Sequence, residues 1–224
     1  FDEKNGLLID YHPLPPSAYI SAFNSGQYQV SSSAAAMTVG LADTRGVDIV
    51  NLFNVFDFWC AVVTSDPNIK TVKDLEGRNI AAARGTISYL MFEWLAKHQG
   101  VDINKISVIN TATPGLVGYA MAERASAVQL WEPAYTILKA RKPGIKTLDL
   151  KLAETWKSFT QSSIIPYQGV AAHRKWVEEH PQLVGKLFQT YKEAGEWLIA
   201  NPDKAAALIL PKGSEEEQHA IGAL

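Results

Sequence analysis

Apolar positions along the chain fall into two kinds of run, short continuous stretches and longer stretches at helical spacing. The clearest helical stretch is Ile87, Leu90, Met91, Trp94 and Leu95, at i, i+3, i+4, i+7 and i+8, one apolar face at helical period. Thr86 suits its N-cap and Gly100 its end. Just before it, Asn79–Ala83 reads as a short buried strand and Arg84-Gly85-Thr86 as a tight turn. The same alternation recurs. Strands are predicted over Leu7–His12, Tyr28–Val30, Asp48–Asn54, Cys60–Thr64, Ile106–Ile109 and Ala127–Trp131, with an extended run over 164–171 interrupted by Pro166. Helices are predicted over Ser17–Asn24, Ala34–Ala42, Thr113–Arg124, Ala134–Ala140, Trp176–His180, Pro181–Ala200 and Pro202–Leu210, with a last one from Glu215 to Leu224. Phe1–Asn5 reads as a helix tail stopped by Gly6, Val72–Leu75 as one helical turn, and Pro13, Pro15 and Pro16 as breaks. Alternating β and α segments argue for an α/β fold, a mainly parallel sheet with helices on both faces.

Composition narrows the function classes. The chain has 224 residues, 47% hydrophobic and 20% charged, with net charge −2. That suits one large domain or two small lobes. Near-neutral charge without a Lys/Arg stripe gives no support for nucleic-acid binding. The single cysteine, Cys60, excludes an intrachain disulfide and a Cys-based metal site, and its apolar surroundings suit a small core residue. The five histidines are scattered, and no pair has i, i+4 ligand spacing. No apolar run reaches the ~20 residues of a membrane span. No signal segment is read in these residues, and the start at Phe1 without Met is expected of a mature or trimmed product and says nothing of targeting.

The stretch around Arg84 carries candidate chemistry. A helix start leaves backbone N–H groups unpaired and holds about half a positive charge. Gly85 allows close approach, and Arg84, Thr86 and Ser88 flank the turn, so the corner suits an anion. A plain strand–turn–helix with a Thr cap accounts for the same residues.

The order of motifs resembles the type II periplasmic-binding family of ABC importers, which includes aliphatic-sulfonate, taurine and nitrate binders and proteins related to thiamine-pyrimidine synthase. The residues that carry it are Phe1-Asp-Glu-Lys-Asn-Gly-Leu7, Ala22–Val30, Val72–Thr86, Trp131-Glu-Pro133, Trp176–Pro181 and Ala200–Asp203. They span nearly the whole chain. The family's first strand and helix would lie before Phe1 and further helices past Leu224. Arg124-Ala-Ser-Ala127 stands where the family has a Gly and an Asp, and Gln29 replaces a usual Asp.

The resemblance implies two α/β lobes, residues 1–55 with 168–224 and residues 56–167, joined by hinges at Phe56–Trp59 and Pro166–Gly169, with ligand in the cleft between them. Ligands of open α/β sheets sit off the carboxyl ends of strands. Ser31, Ser32 and Ser33 follow a strand and open a helix; Asn54 and Phe56 follow the next. Arg84, Gly85, Thr86 and Ser88 follow a third, and Trp131 and Glu132 end a fourth. Trp59 and Gln168 complete the candidate set from the hinges. Each has a structural alternative: serines as helix caps, aromatics as core, Glu132 as a helix-start carboxylate. An inward Glu132 would ask for a ligand amine or ring N–H.

The expected function is that of an extracytoplasmic component of an ABC importer, capturing a small polar, anionic organic solute (a sulfonate, carboxylate or nitrogen heterocycle) in the interlobe cleft by hinge closure, in the periplasm or as a cell-surface lipoprotein. The expected partners are that solute and a membrane permease. The protein is expected to be a monomer, without cofactor or catalytic residues. The alternatives are an enzyme on the same fold (thiamine-pyrimidine-synthase-like or a menaquinone-pathway dehydratase) and an effector-sensing domain. The synthase relatives need a cysteine-rich segment that one Cys cannot supply. No catalytic constellation supports the dehydratase, and no DNA-binding segment supports the sensor.

Overall fold

A computed structural model of the chain describes residues 1–14 and 16–223, with the side chains of Pro16 and Ser17 left out. The expected break at Pro15 and the end of the last helix at Leu224 lie outside the described residues. In chain order the elements are α1 (Pro16–Asn24), β1 (Val30–Ala35), α2 (Ala36–Asp43), β2 (Ile49–Asp57), β3 (Ala61–Thr64), β4 (Asn79–Ala82), α3 (Ile87–His98), β5 (Ser107–Asn110) and α4 (Thr113–Met121). There follow β6 (Ala127–Leu130), α5 (Ala134–Arg141), β7 (Lys146–Thr147), α6 (Leu152–Thr160), β8 (Pro166–His173), α7 (Arg174–Glu179), α8 (Pro181–Ala200), α9 (Pro202–Ile209) and α10 (Glu215–Gly222). The chain divides into two compact units, Phe1–Phe58 with Pro166–Asn201, and Trp59–Ile165 with Pro202–Leu224.

The first unit is built on the sheet β1-β8-β2, with β8 central. Both pairings are antiparallel, whereas the sequence pattern predicts mainly parallel strands. The reason is the chain path, since β8 returns from the second unit. Val170, Ala171 and Ala172 of β8 have no exposed surface. Phe23, Ala34, Val39, Ala42 and Ile49 pack with Ala171, and the His173 ring stands edge-on to Phe23 at 5.0 Å. The strand predicted at Leu7–His12 does not form. Among the described residues that segment has no ladder partner, and Leu8 is 89% exposed.

The second unit holds the sheet β5-β4-β6-β3-β7. Here β4 pairs parallel with β5 and β6, while β3 runs antiparallel to β6 and β7. The four residues of β6 are all buried, as expected of a strand covered on both faces. Leu116 and Ala120 of α4 and Leu138 of α5 pack with Val128 and Leu130. The pattern missed α6, which begins after Lys151 in the left-handed region. Its Trp156 and Phe159 stand edge-on to Trp94 of α3 at 5.7 and 5.3 Å.

The last two helices group differently from the expected return of 168–224 to lobe one. Residues 202–224 belong with the second unit. Glu217 of α10 pairs with Arg141 of α5, which anchors the C-terminal helix pair there. No described helix is long and apolar enough to cross a membrane.

Candidate functional site

Parallel pairing sets the polarity of the second sheet. Ile80 lies opposite Val108 and Ala127, so β5, β4 and β6 all end at one edge. Because Ala61 faces Leu130 on the antiparallel β3, Trp59 and Cys60 precede β3 at that same edge. It therefore collects Arg84–Ser88 after β4, Trp131 and Glu132 after β6, and Trp59. It also collects Asn110 at the end of β5 and Thr111 and Thr113 after it, which the sequence reading missed. Their signal was present in Thr113-Pro114, a helix-start pair directly after a strand.

The turn at Arg84 is ordered by short local bonds. Thr86 caps α3: its hydroxyl donates to the Ala83 carbonyl at 2.8 Å and accepts the Tyr89 N–H at 3.3 Å. The Arg84 main-chain N–H donates to Asn110 Oδ1 at 3.0 Å, tying the ends of β4 and β5. The Arg84 side chain and Gly85 are exposed, while Ser88 is 2% exposed. The anion corner thus offers a cation, a glycine and a helix start, with Ser88 buried. Beside it α4 starts with Ala112 at its N-cap, and no side chain caps it. Two helix starts meet at one sheet edge, an arrangement that favours negative charge.

Glu132 caps α5. Its carboxylate accepts the Thr136 N–H at 3.2 Å and the Thr136 hydroxyl at 3.1 Å. Trp131 is half-buried against the core. Trp59 keeps 41% of its surface exposed and stands edge-on to Tyr135 at 5.1 Å. Burial pushes the Cys60 thiol up to about 12, with the Gln129 amide pulling weakly the other way.

In the first unit, Ser31–Ser33 lie inside β1 and do not open a helix; α2 starts three residues later at Ala36. Ser31 is 7% exposed, Ser32 hydrogen-bonds the Tyr191 hydroxyl, and the Ser33 carbonyl accepts from Tyr19 at 2.8 Å. The serines border a cavity of about 370 Å³ whose other walls include Leu7–Leu14, Leu187 and Tyr191. Most of that lining is apolar, and this cavity lies in a different unit from the anion-favouring edge. Asn54 donates to Asp57 at 3.0 Å and accepts the Tyr167 N–H at 3.3 Å. Phe56 sits opposite Gln168, which also faces Ala35. Asn54, Phe56 and Gln168 therefore gather at the end of the sheet where β1 and β2 finish. Among the described residues, no group of three or more His, Cys, Asp or Glu side chains could hold a metal ion.

The sequence profile of the family described as "NMT1/THI5 like" matches residues 1–205. The chain is 21% identical over 205 residues to the taurine-binding periplasmic protein of Escherichia coli (strain K12), covering 91% of this chain and 61% of that one. It is 24% identical over 225 residues to a putative ABC transporter periplasmic binding protein of Brachyspira hyodysenteriae, covering 93% and 62%. It thus spans about three fifths of the length of these curated relatives. Among solved structures, the periplasmic aliphatic sulphonate binding protein SsuA of Escherichia coli superposes with a TM-score of 0.72 at 17% identity, over 92% of this chain and 68% of that one. The alkanesulfonate-binding protein SsuA of Xanthomonas axonopodis pv. citri bound to MOPS gives 0.66 at 16% identity, over 91% and 68%. These likenesses show the fold, an α/β fold of the type II periplasmic-binding kind. The profile match, which runs from Phe1 through most of the chain, shows that it belongs to the NMT1/THI5-like family.

Proposed function

We propose that this chain forms the solute-capturing part of an extracytoplasmic binding protein that serves an ABC importer. The solute is a small organic anion bearing a sulfonate or carboxylate. The observation that carries this reading is the carboxyl edge of β5-β4-β6, where the starts of α3 and α4 meet exposed Arg84. The curated relatives, a taurine-binding and a putative ABC transporter periplasmic protein, support it. On this reading the partner is a membrane permease, the location is the periplasm or the outer cell surface, and the protein acts as a monomer. On the same reading Ser31–Ser33, Asn54, Phe56 and Gln168 of the first unit are further candidate contacts.

Glu132 refines the solute. Its carboxylate is engaged by Thr136, so the site does not demand an amine, and a simple alkanesulfonate suits it as well as an aminoalkanesulfonate. A helix start gives an anion only ~0.3–2 kcal/mol. Micromolar affinity is about −8 kcal/mol. Burial of the solute's carbon chain against aromatics such as Trp59 supplies the remainder. A cysteine nucleophile finds no support, because the one thiol is buried and held neutral. Calorimetric titration with alkanesulfonates, taurine, carboxylates and heteroaromatics tests the proposal. Sulfonate binding that weakens in Arg84→Gln and Thr86→Ala is expected. Absence of binding across the panel, or affinity unchanged in both variants, overturns it.

A further inference from the structure

Gln129 is the anomaly of the second unit's core. It is the one polar residue in the four-residue strand β6 and has no exposed surface. Its Nε2 donates to the Ser88 carbonyl at 2.9 Å, while its Oε1 has no hydrogen-bond partner. Ser88 belongs to the first turn of α3, where its carbonyl already serves the helix ladder. The amide also reaches the buried Cys60 sulfur, a weak partner, so the one firm buried hydrogen bond gained and the one buried amide oxygen left unpaired nearly offset each other. Stability therefore gives no reason for a glutamine where valine, leucine or methionine would pack. The bond does join two parts of the candidate site, because β6 runs directly into Trp131 and Glu132 and α3 starts at the Arg84–Thr86 turn.

We infer that Gln129 is a positioning residue. It holds the first turn of α3 in fixed register with the end of β6, and so aims the N–H groups after Gly85 at the anion. It touches no ligand itself. This rests on the anion-capture reading for its functional consequence, but its structural part stands alone.

Gln129→Met keeps the length of the side chain and removes both the bond and the unpaired oxygen; Gln129→Leu repeats the change with a different shape. Both are expected to unfold within about 2 °C of the parent or higher. Amide hydrogen exchange is expected to accelerate in the first turn of α3 only. Affinity for an alkanesulfonate is expected to fall about tenfold. Unchanged exchange in that turn overturns the inference. So does a lowered midpoint in both variants with faster exchange throughout β3, β4 and β6, which would make Gln129 a packing residue. If the parent binds nothing in the panel, the capture reading fails while the exchange comparison still decides this one.

Discussion

Gly169 offers the sharpest test of the first unit's architecture. It sits in the central strand β8, opposite Asn54 of β2 and Ala34 of β1. Space, rather than dihedral freedom, requires the glycine. A Cβ built there would overlap the Phe53 carbonyl oxygen and lie 3.1 Å from Asn54 Cα. These are backbone atoms of a paired strand and cannot swing aside as a side chain could. Gly169→Ala must therefore push β2 away between its register shifts at Asn51/Phe53 and Asn54/Phe56. Losing one or two ladder hydrogen bonds at about 1 kcal/mol each, plus overpacking of about 1–3 kcal/mol, gives a cost of roughly 2–5 kcal/mol. With a urea slope of about 2–3 kcal/mol per molar, the midpoint should fall by roughly 1–2 M. Gly40 in the middle of α2 is the control, since nothing lies within 4 Å of its would-be Cβ. Gly40→Ala should stabilise by roughly 0.5–1 kcal/mol through helix propensity. Urea unfolding followed by circular dichroism reads both. A Gly169→Ala protein within about 0.5 kcal/mol of the parent would refute the close approach of β2 and β8.

Three further predictions concern single groups. Glu132→Ala removes the cap on Thr136 and should lower stability by about 1 kcal/mol in thermal melts, with solute affinity changed far less than in Arg84→Gln. A loss of affinity equal to that of Arg84→Gln would make Glu132 a ligand group. Asp66 and Asp74 are held below their ordinary value of 3.8, chiefly by backbone N–H bonds from Asn68 and from Lys70, respectively. Both ionise more readily folded than unfolded, so their stabilisation is complete above that value and drains as pH falls below it. Asp74→Asn should flatten the acid limb of a stability titration, and an unchanged limb would count against the assignment. Cys60, buried with its thiol at about 12, should resist an aromatic disulfide reagent at neutral pH until urea unfolds the chain. Prompt labelling of the native protein would show the site open.

Local signals made much of this legible. The helix over Ile87–His98, its Thr86 cap and the strands at Asn79 and Ala127 each rest on neighbours in sequence, and they form where expected. The misses were decisions taken by distant residues. Leu7–His12 has a strand's composition but no ladder partner, so it stays irregular. Ser31–Ser33 looked like a helix opening because small hydroxyl residues suit caps. Pairing with β8 instead draws them into β1. The resemblance implies that residues 202–224 return to the first lobe, and the Arg141–Glu217 pair that ties α10 to α5 is invisible to a local reading.

The candidate site shows the same division, with a consequence for specificity. Three side chains chosen for their polar atoms have those atoms engaged inside the protein. Thr86 bonds Ala83 and Tyr89, Glu132 bonds Thr136, and Asn54 bonds Asp57 and Tyr167. On the proposed anion-capture reading, the groups left to meet the solute are the Arg84 guanidinium and backbone N–H groups at two helix starts. Backbone donors reward any tetrahedral or planar anion of the right size and say little about the rest of the molecule. Discrimination among solutes then falls to apolar contacts with their carbon skeleton, where one methylene is worth about 0.8 kcal/mol. Affinity across a series of straight-chain sulfonates should therefore rise by roughly fourfold per added methylene until the pocket is filled. A flat series, with affinity set by the amine or its absence, would return Glu132 to the ligand and undo this account.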